Sequence, residues 1–194
     1  MSKVDDNLQD SKKVFETISS ILQVKRFGTN KRQVLLMSYF DICMEHIQAI
    51  NLLVIHKLYG SSFALVRPFY DTFYRALWML KCASDIQIDE IRNDKFKFSK
   101  MHKKIEEIDK AYTGTDFFKK LKESSWKTMC GYTHSGTPQL SRRWNGDELQ
   151  PDYKEGEIIE VLRGTKTILL LFAFTILKEH NYPDDAEKIN DLLL

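Results

Sequence analysis

Apolar residues recur along this chain at spacings of three and four, the period of helices buried on one side. Between Val4 and Val24 the pattern rests on Val14, Ile18, Ile21 and Leu22, and Phe27-Gly28-Thr29-Asn30 supplies a turn after it. From Lys31 to Leu58 the chain has no proline or glycine, and Val34, Leu35, Tyr39, Ile42, Ile47, Ile50, Leu53 and Val54 mark one long helix. Gly60-Ser61-Ser62 predicts its end, with Ser61 or Ser62 as N-cap of a helix running to about Ala83. Pro68 falls inside that stretch. A start near Ser62 makes it a kink; a start near Val66 puts it in the tolerated first turn.

Ser84-Asp85 opens a short helix carrying Ile86, Ile88 and Ile91. The charged stretch Arg92 to Lys110 has Phe96, Met101, Ile105 and Ile108 as its apolar stripe. Its charges read as a solvated face laced by i,i+4 pairs such as Lys103–Glu107. Thr115-Asp116 predicts a cap for Phe117 to Lys122, and Ser124 or Ser125 one for a further helix reaching Gly131. Residues 137–156 are rich in Pro, Gly, Asn, Asp and Arg and predict one long loop. Glu157 to His180 is a core helix, and Pro183-Asp184-Asp185 starts a short last one. The expected fold is all-α: a single-domain helical bundle over residues 1–194, with about seven or eight helices. Within it, 1–30 form an N-terminal helix and turn, 31–180 the bundle core and 183–194 a short C-terminal helix.

At 194 residues, 43% hydrophobic and 29% charged, the chain can bury a core without disulfide staples. A net charge of +2 permits an anionic partner without requiring one. Cys43, Cys82 and Cys130 form no CxxC and no even set, which predicts reduced thiols and a cytoplasmic protein. The apolar run Ile168 to Leu177 falls short of the roughly 20 residues a membrane span needs, so no membrane partner is expected. No Gly-rich phosphate loop, G-x-S-x-G elbow or H-E-x-x-H motif occurs.

Two separated segments hold the candidate chemistry. In the first, Arg67, Asp71 and Arg75 stand at i, i+4 and i+8 on one helix face, with Tyr74 and Trp78 nearby. Asp71 can bond either arginine; Asp71–Arg75 has the better-supported orientation and would leave Arg67 partly free. This is an anion-binding arginine oriented by a carboxylate, or an ion-pair network pinning helices together. In the second, Gly131-Tyr132-Thr133-His134-Ser135-Gly136 sets a histidine among hydroxyls between glycines that allow unusual backbone angles. His134 suits acid, base or phosphate-ligand work, or simply caps the helix before it. Downstream, Arg142, Arg143 and Trp144 combine paired cations with an aromatic ring, a composition suited to phosphate contact and base stacking as well as to a solvated loop. Cys43 with His46 and Cys130 with His134 have zinc-ligand spacing, but nothing brings the pairs together. No metal and no cofactor are expected.

Leu65-Val66-Arg67-Pro68 with Asp71, Arg75-x-x-Trp78, and Tyr132-Thr133-His134-Ser135-Gly136 followed by Arg142-Arg143 resemble segments of poorly characterised bacterial all-helical proteins, distantly similar to the HEPN superfamily. The resemblance spans Lys31 to Lys178. It implies a helical bundle, often homodimeric, acting as a binding or partner subunit in a defence or regulatory system, or as a metal-independent RNA endonuclease. The HEPN ribonuclease motif, Arg followed four to six residues later by His, is absent, so no catalytic position carries over. Two readings follow. In one, the chain is a binding module in which Arg67, Asp71, Arg75 and His134 form a polar network. In the other, Arg67 and His134 act on an RNA phosphodiester, Asp71 orients Arg67, and Arg75, Tyr132, Arg142, Arg143 and Trp144 assist binding.

Overall fold

A computed structural model describes residues 2–193. Nine α-helices occur among them: α1 Lys3–Gln23, α2 Lys31–Ile55, α3 Tyr59–Lys81, α4 Asp85–Arg92, α5 Met101–Tyr112, α6 Phe117–Thr133, α7 Thr137–Leu140, α8 Glu155–Glu179 and α9 Pro183–Asn190. A two-residue hairpin, β1 Trp144–Asn145 and β2 Glu148–Leu149, is the sole sheet among the described residues. The bundle is all-α, as the apolar spacing predicts, with nine helices among the described residues where about seven or eight were expected; α7 lies inside the expected 137–156 loop.

The centre of the bundle is α3, because aromatic residues cover most of its circumference. Phe69, Phe73, Tyr74, Leu77 and Trp78 are buried nearly completely, and α2, α5, α6 and α8 pack around them. Phe172 of α8 meets Phe73 and Phe40 edge-on, at ring-centroid distances of 5.5 and 5.2 Å. Each such side chain withdrawn from water contributes about 1.5–3 kcal/mol. α1 contributes Val14 and Ile18 to this core and α9 contributes Ala186 and Ile189. Arg32 at the start of α2 donates to the carbonyls of Met79, Leu80 and Ala83, so the last turn of α3 is satisfied by a side chain of its neighbour.

Several local expectations are corrected. α2 ends at Ile55 and α3 begins at Tyr59, before Ser61 and Ser62; the Ser62 hydroxyl instead donates to the Ile50 carbonyl. Pro68 therefore lies in the interior of α3. Ser124 and Ser125 do not open a helix, since their hydroxyls donate back to the Leu121 carbonyl within an unbroken α6. Residues 95–100 are not helical; α5 begins only at Met101, after Lys100 in the left-handed region. The expected 137–156 loop is divided by α7 and the β1–β2 hairpin, and α8 already starts at Glu155.

Asp109 of α5 is the least expected of the fold's fixed points. Read in sequence as part of a solvated face, it is buried, and its carboxylate accepts the Phe118 and Lys119 backbone N–H groups at 2.7 and 3.0 Å. Asp116, the sequence-predicted cap, makes no capping bond. A carboxylate from a neighbouring helix thus terminates α6 and fixes its start against α5. Asp109→Ala removes two charge-assisted hydrogen bonds and is expected to cost about 2–4 kcal/mol. Thermal unfolding should show this as a Tm loss of roughly 5–15 °C, while Asp116→Ala should change Tm little.

Candidate functional site

The position of the site follows from Pro68. A proline nitrogen carries no proton, so the Ala64 carbonyl four residues earlier receives no helical bond from it. The Thr133 hydroxyl at the end of α6 shares its one proton between that carbonyl, at 3.1 Å, and the Met129 carbonyl of its own helix, at 3.0 Å. An unbonded carbonyl at a helix–helix contact costs about 1–3 kcal/mol, which selects this register of α6 on α3. His134 comes next in the chain, and Arg67 stands three residues beyond Ala64. Their side chains meet: Arg67 Nη1 hydrogen-bonds His134 Nε2. Guanidinium groups only donate, so Nε2 accepts and the proton of the neutral ring sits on Nδ1.

The turn after α6 holds the ring in place. His134 is the C-cap residue, Ser135 is left-handed with φ 54°, and the Gly136 N–H donates to the Gly131 carbonyl. This is a Schellman arrangement. The left-handed backbone falls on Ser135, whereas the two flanking glycines serve close approach. A Cβ on Gly131 would stand 2.6 Å from Pro138 Cγ, and one on Gly136 would stand 3.2 Å from Gly131 Cα. The ring of His134 thus points to α3 and leaves its own helix's carbonyls to the backbone.

Lys122, Trp126, Cys130 and His134 recur every fourth residue, so α6 turns them towards one side. The Arg67 guanidinium lies 5.4 Å and the Lys122 ammonium 5.0 Å from the centre of the Trp126 ring, within cation–π range. Burial pulls the pKa of Lys122 down, while the nearby Asp71 carboxylate works against that effect. Asp71 itself pairs with Arg75 at 3.7 Å, and the Arg75 guanidinium lies 4.8 Å over the Phe98 ring. The acid-first pair is the one formed, and Arg67 is left to α6. Next to Trp126, a groove of about 580 Å³ runs between α5 and α6, with Lys119, Lys122, Lys127 and His102 on its walls. Neither Trp126 nor Lys122 stood out in the sequence, although their four-residue spacing to His134 was a usable signal.

The loop arginines have other partners. Arg142 pairs with Glu157 of α8, and the neighbouring Tyr132 is buried. Arg143 fits beside Gly60, where a Cβ would come 2.5 Å from its Nη2 and 2.9 Å from the Tyr153 hydroxyl. Tyr132, Phe63 and Tyr153 pack ring against ring beneath them. These side chains clamp the 141–153 segment onto the bundle, and of the expected loop contacts only Trp144 projects outward, at 57% exposure. Cys43 is buried against the Phe69 carbonyl. Among the described residues, no three His, Cys, Asp or Glu side chains gather as a metal site, and no helix is long and apolar enough to cross a membrane.

A family model described as "Family of unknown function (DUF6988)" matches residues 40–192. The chain belongs to that family. The match includes Pro68, Thr133, His134 and the whole Arg67 surface, while α1 and the first turns of α2 precede it. No curated protein and no solved structure matches the chain. The resemblance to HEPN proteins and a bacterial source thus has no counterpart in these comparisons.

The Arg67–His134 contact has a direct spectroscopic consequence. Long-range proton–nitrogen correlation of the His134 ring should show the Nδ1–H tautomer at neutral pH. In Arg67→Ala the donor is gone, and the Nε2–H form should dominate.

Proposed function

We propose that this chain is a binding module whose surface at Arg67, Lys122, Trp126 and His134 takes single-stranded RNA. The observation carrying this reading is two cations leaning on one half-buried indole in the middle of α6. Phosphate draws the cations towards itself, and the freed ring face stacks a base, the combination by which single strands are held without sequence readout. The charge distribution supports it: residues 92–127 hold eleven Lys and Arg against six Asp and Glu, in a chain whose net charge is only +2. Arg142 and Arg143, tied to Glu157 and the Gly60 niche, play no part in holding the strand; they shape the module. A defence or regulatory setting is what the HEPN resemblance implies.

RNA cleavage is a second reading, favoured by the Arg67–His134 contact alone. At rest Arg67 occupies the Nε2 lone pair that would accept a 2′-hydroxyl proton, so the ring is not a free base. When a phosphate engages Arg67, Nε2 is released beside the phosphodiester. Attack of the 2′-oxygen on phosphorus, its proton passing to Nε2, would then expel the 5′-oxygen, which takes a proton from water, and leave a 2′,3′-cyclic phosphate. Mixed RNA incubated with the protein in EDTA separates the readings. Intact RNA supports the binding module, and cleavage abolished in His134→Ala supports the nuclease.

For binding, fluorescence anisotropy of a labelled oligouridylate should give an affinity that falls steeply with salt. Arg67→Ala should weaken it about tenfold and lower the salt slope by about one counterion. Because burial lowers the Lys122 pKa, affinity should decline with rising pH before an ordinary surface lysine would lose its charge. Lys122→Arg, which stays charged, should flatten that decline. Affinity indifferent to salt and to Arg67→Ala contradicts the reading.

A further inference from the structure

α2 carries apolar residues around its whole circumference, the composition of a helix enclosed on all sides. Its inner face is enclosed, with Leu36, Phe40, Cys43, Ile47, Ile50 and Val54 in the core. Its outer face is not: Ile42, Leu52 and Ile55 are 41%, 54% and 60% exposed, and Leu58 just beyond the helix is 54% exposed. α1 does not cover them, because it is tied to α8 instead, through Asp10–Lys166 and Asn7–Arg163. One side-chain hydrogen bond, Asn51 to Ser11 at 2.8 Å, joins α1 to α2. Between these two helices runs a groove of about 790 Å³, with Leu8, Phe15, Met44, Ala49, Leu52 and Ile55 as its apolar floor.

The rim is acidic. Asp41 and Glu45 stand on the α2 side without a hydrogen bond or ion pair among the described residues, and Glu16 on the α1 side has only the loose Lys12 contact at 3.8 Å. In the same groove Asn51 keeps its Oδ1 buried with no donor. An apolar trough, unpaired carboxylates along its edge and an unused acceptor in its wall define what would fit. We propose that the α1–α2 groove docks an amphipathic helix of a partner protein, with an apolar i, i+3, i+4, i+7 stripe flanked by Lys or Arg. The apolar stripe covers Leu52 and Ile55, and the flanking cations meet Asp41 and Glu45. The site is separate from the Arg67 surface and stands or falls independently of RNA binding.

Two fluorescein-labelled helical peptides of about 18 residues test this, one of Leu and Lys and a twin of Leu and Glu with the same apolar stripe. Anisotropy should show the Leu/Lys peptide binding about tenfold or more tightly than its twin. Leu52→Glu, an exposed change that leaves the core intact, should abolish binding of the Leu/Lys peptide without altering RNA affinity. The double variant Asp41→Lys/Glu45→Lys should reverse the preference. Equal binding of both peptides, or of neither, overturns the proposal. So does a concentration-dependent dimer in sedimentation that Leu52→Glu dissolves, since the face would then belong to a second copy.

Discussion

One hydrogen bond organises the functional half of this molecule: the Thr133 hydroxyl on the Ala64 carbonyl. It exists because Pro68 deprives α3 of the donor that an ordinary helix would supply. A proline inside the most buried helix of the bundle is costly in isolation. That cost is offset in part by a neighbour that needs a defined docking point. Once Thr133 is seated, His134 and Arg67 have little choice but to meet, and the four-residue spacing of α6 brings Trp126 and Lys122 to the same side. The site is a consequence of helix register more than of any loop.

Register also needs the other end of α6 to be fixed, and Asp109 does this from α5. The helix is thus held at its start by a carboxylate accepting two N–H groups and at its end by a hydroxyl donating to a carbonyl. Between the two points lie the residues that face solvent. On the opposite flank, Arg142 and Arg143 fasten the segment after α7 to α8 and α3. That leaves the Arg67 surface open and gives the loop arginines a role within the bundle.

Much of the fold was legible in sequence, because apolar period and turn residues report burial and chain reversal directly. The long helices and the acid-first Asp71–Arg75 pair follow from local spacing. What the sequence hid was what depends on partners distant along the chain. Asp109 looks like one more charge on a solvated face, since nothing local shows that a second helix begins above it. Arg142-Arg143-Trp144 looks like a ligand contact, since Glu157 and Gly60 cannot be seen from the loop. Pro68 leaves two helix starts open, and only the Thr133 hydroxyl explains why the earlier start, with proline in the interior, is tolerated. Arg67 and His134 were legible as candidates, whereas Lys122 and Trp126 required knowing that α6 is unbroken at Ser124 and Ser125.

A double-mutant cycle in chemical denaturation measures the dependence of Thr133 on Pro68 directly. Thr133→Val alone should cost about 1–2 kcal/mol, because the Ala64 carbonyl loses its donor. In the Pro68→Ala background the restored backbone N–H satisfies that carbonyl, and the same change should cost close to nothing. A coupling energy of about 1 kcal/mol is the expected result. An equal cost of Thr133→Val in both backgrounds would show that the proline does not set the register of α6, and the Arg67–His134 surface would then owe its position to something other than Pro68.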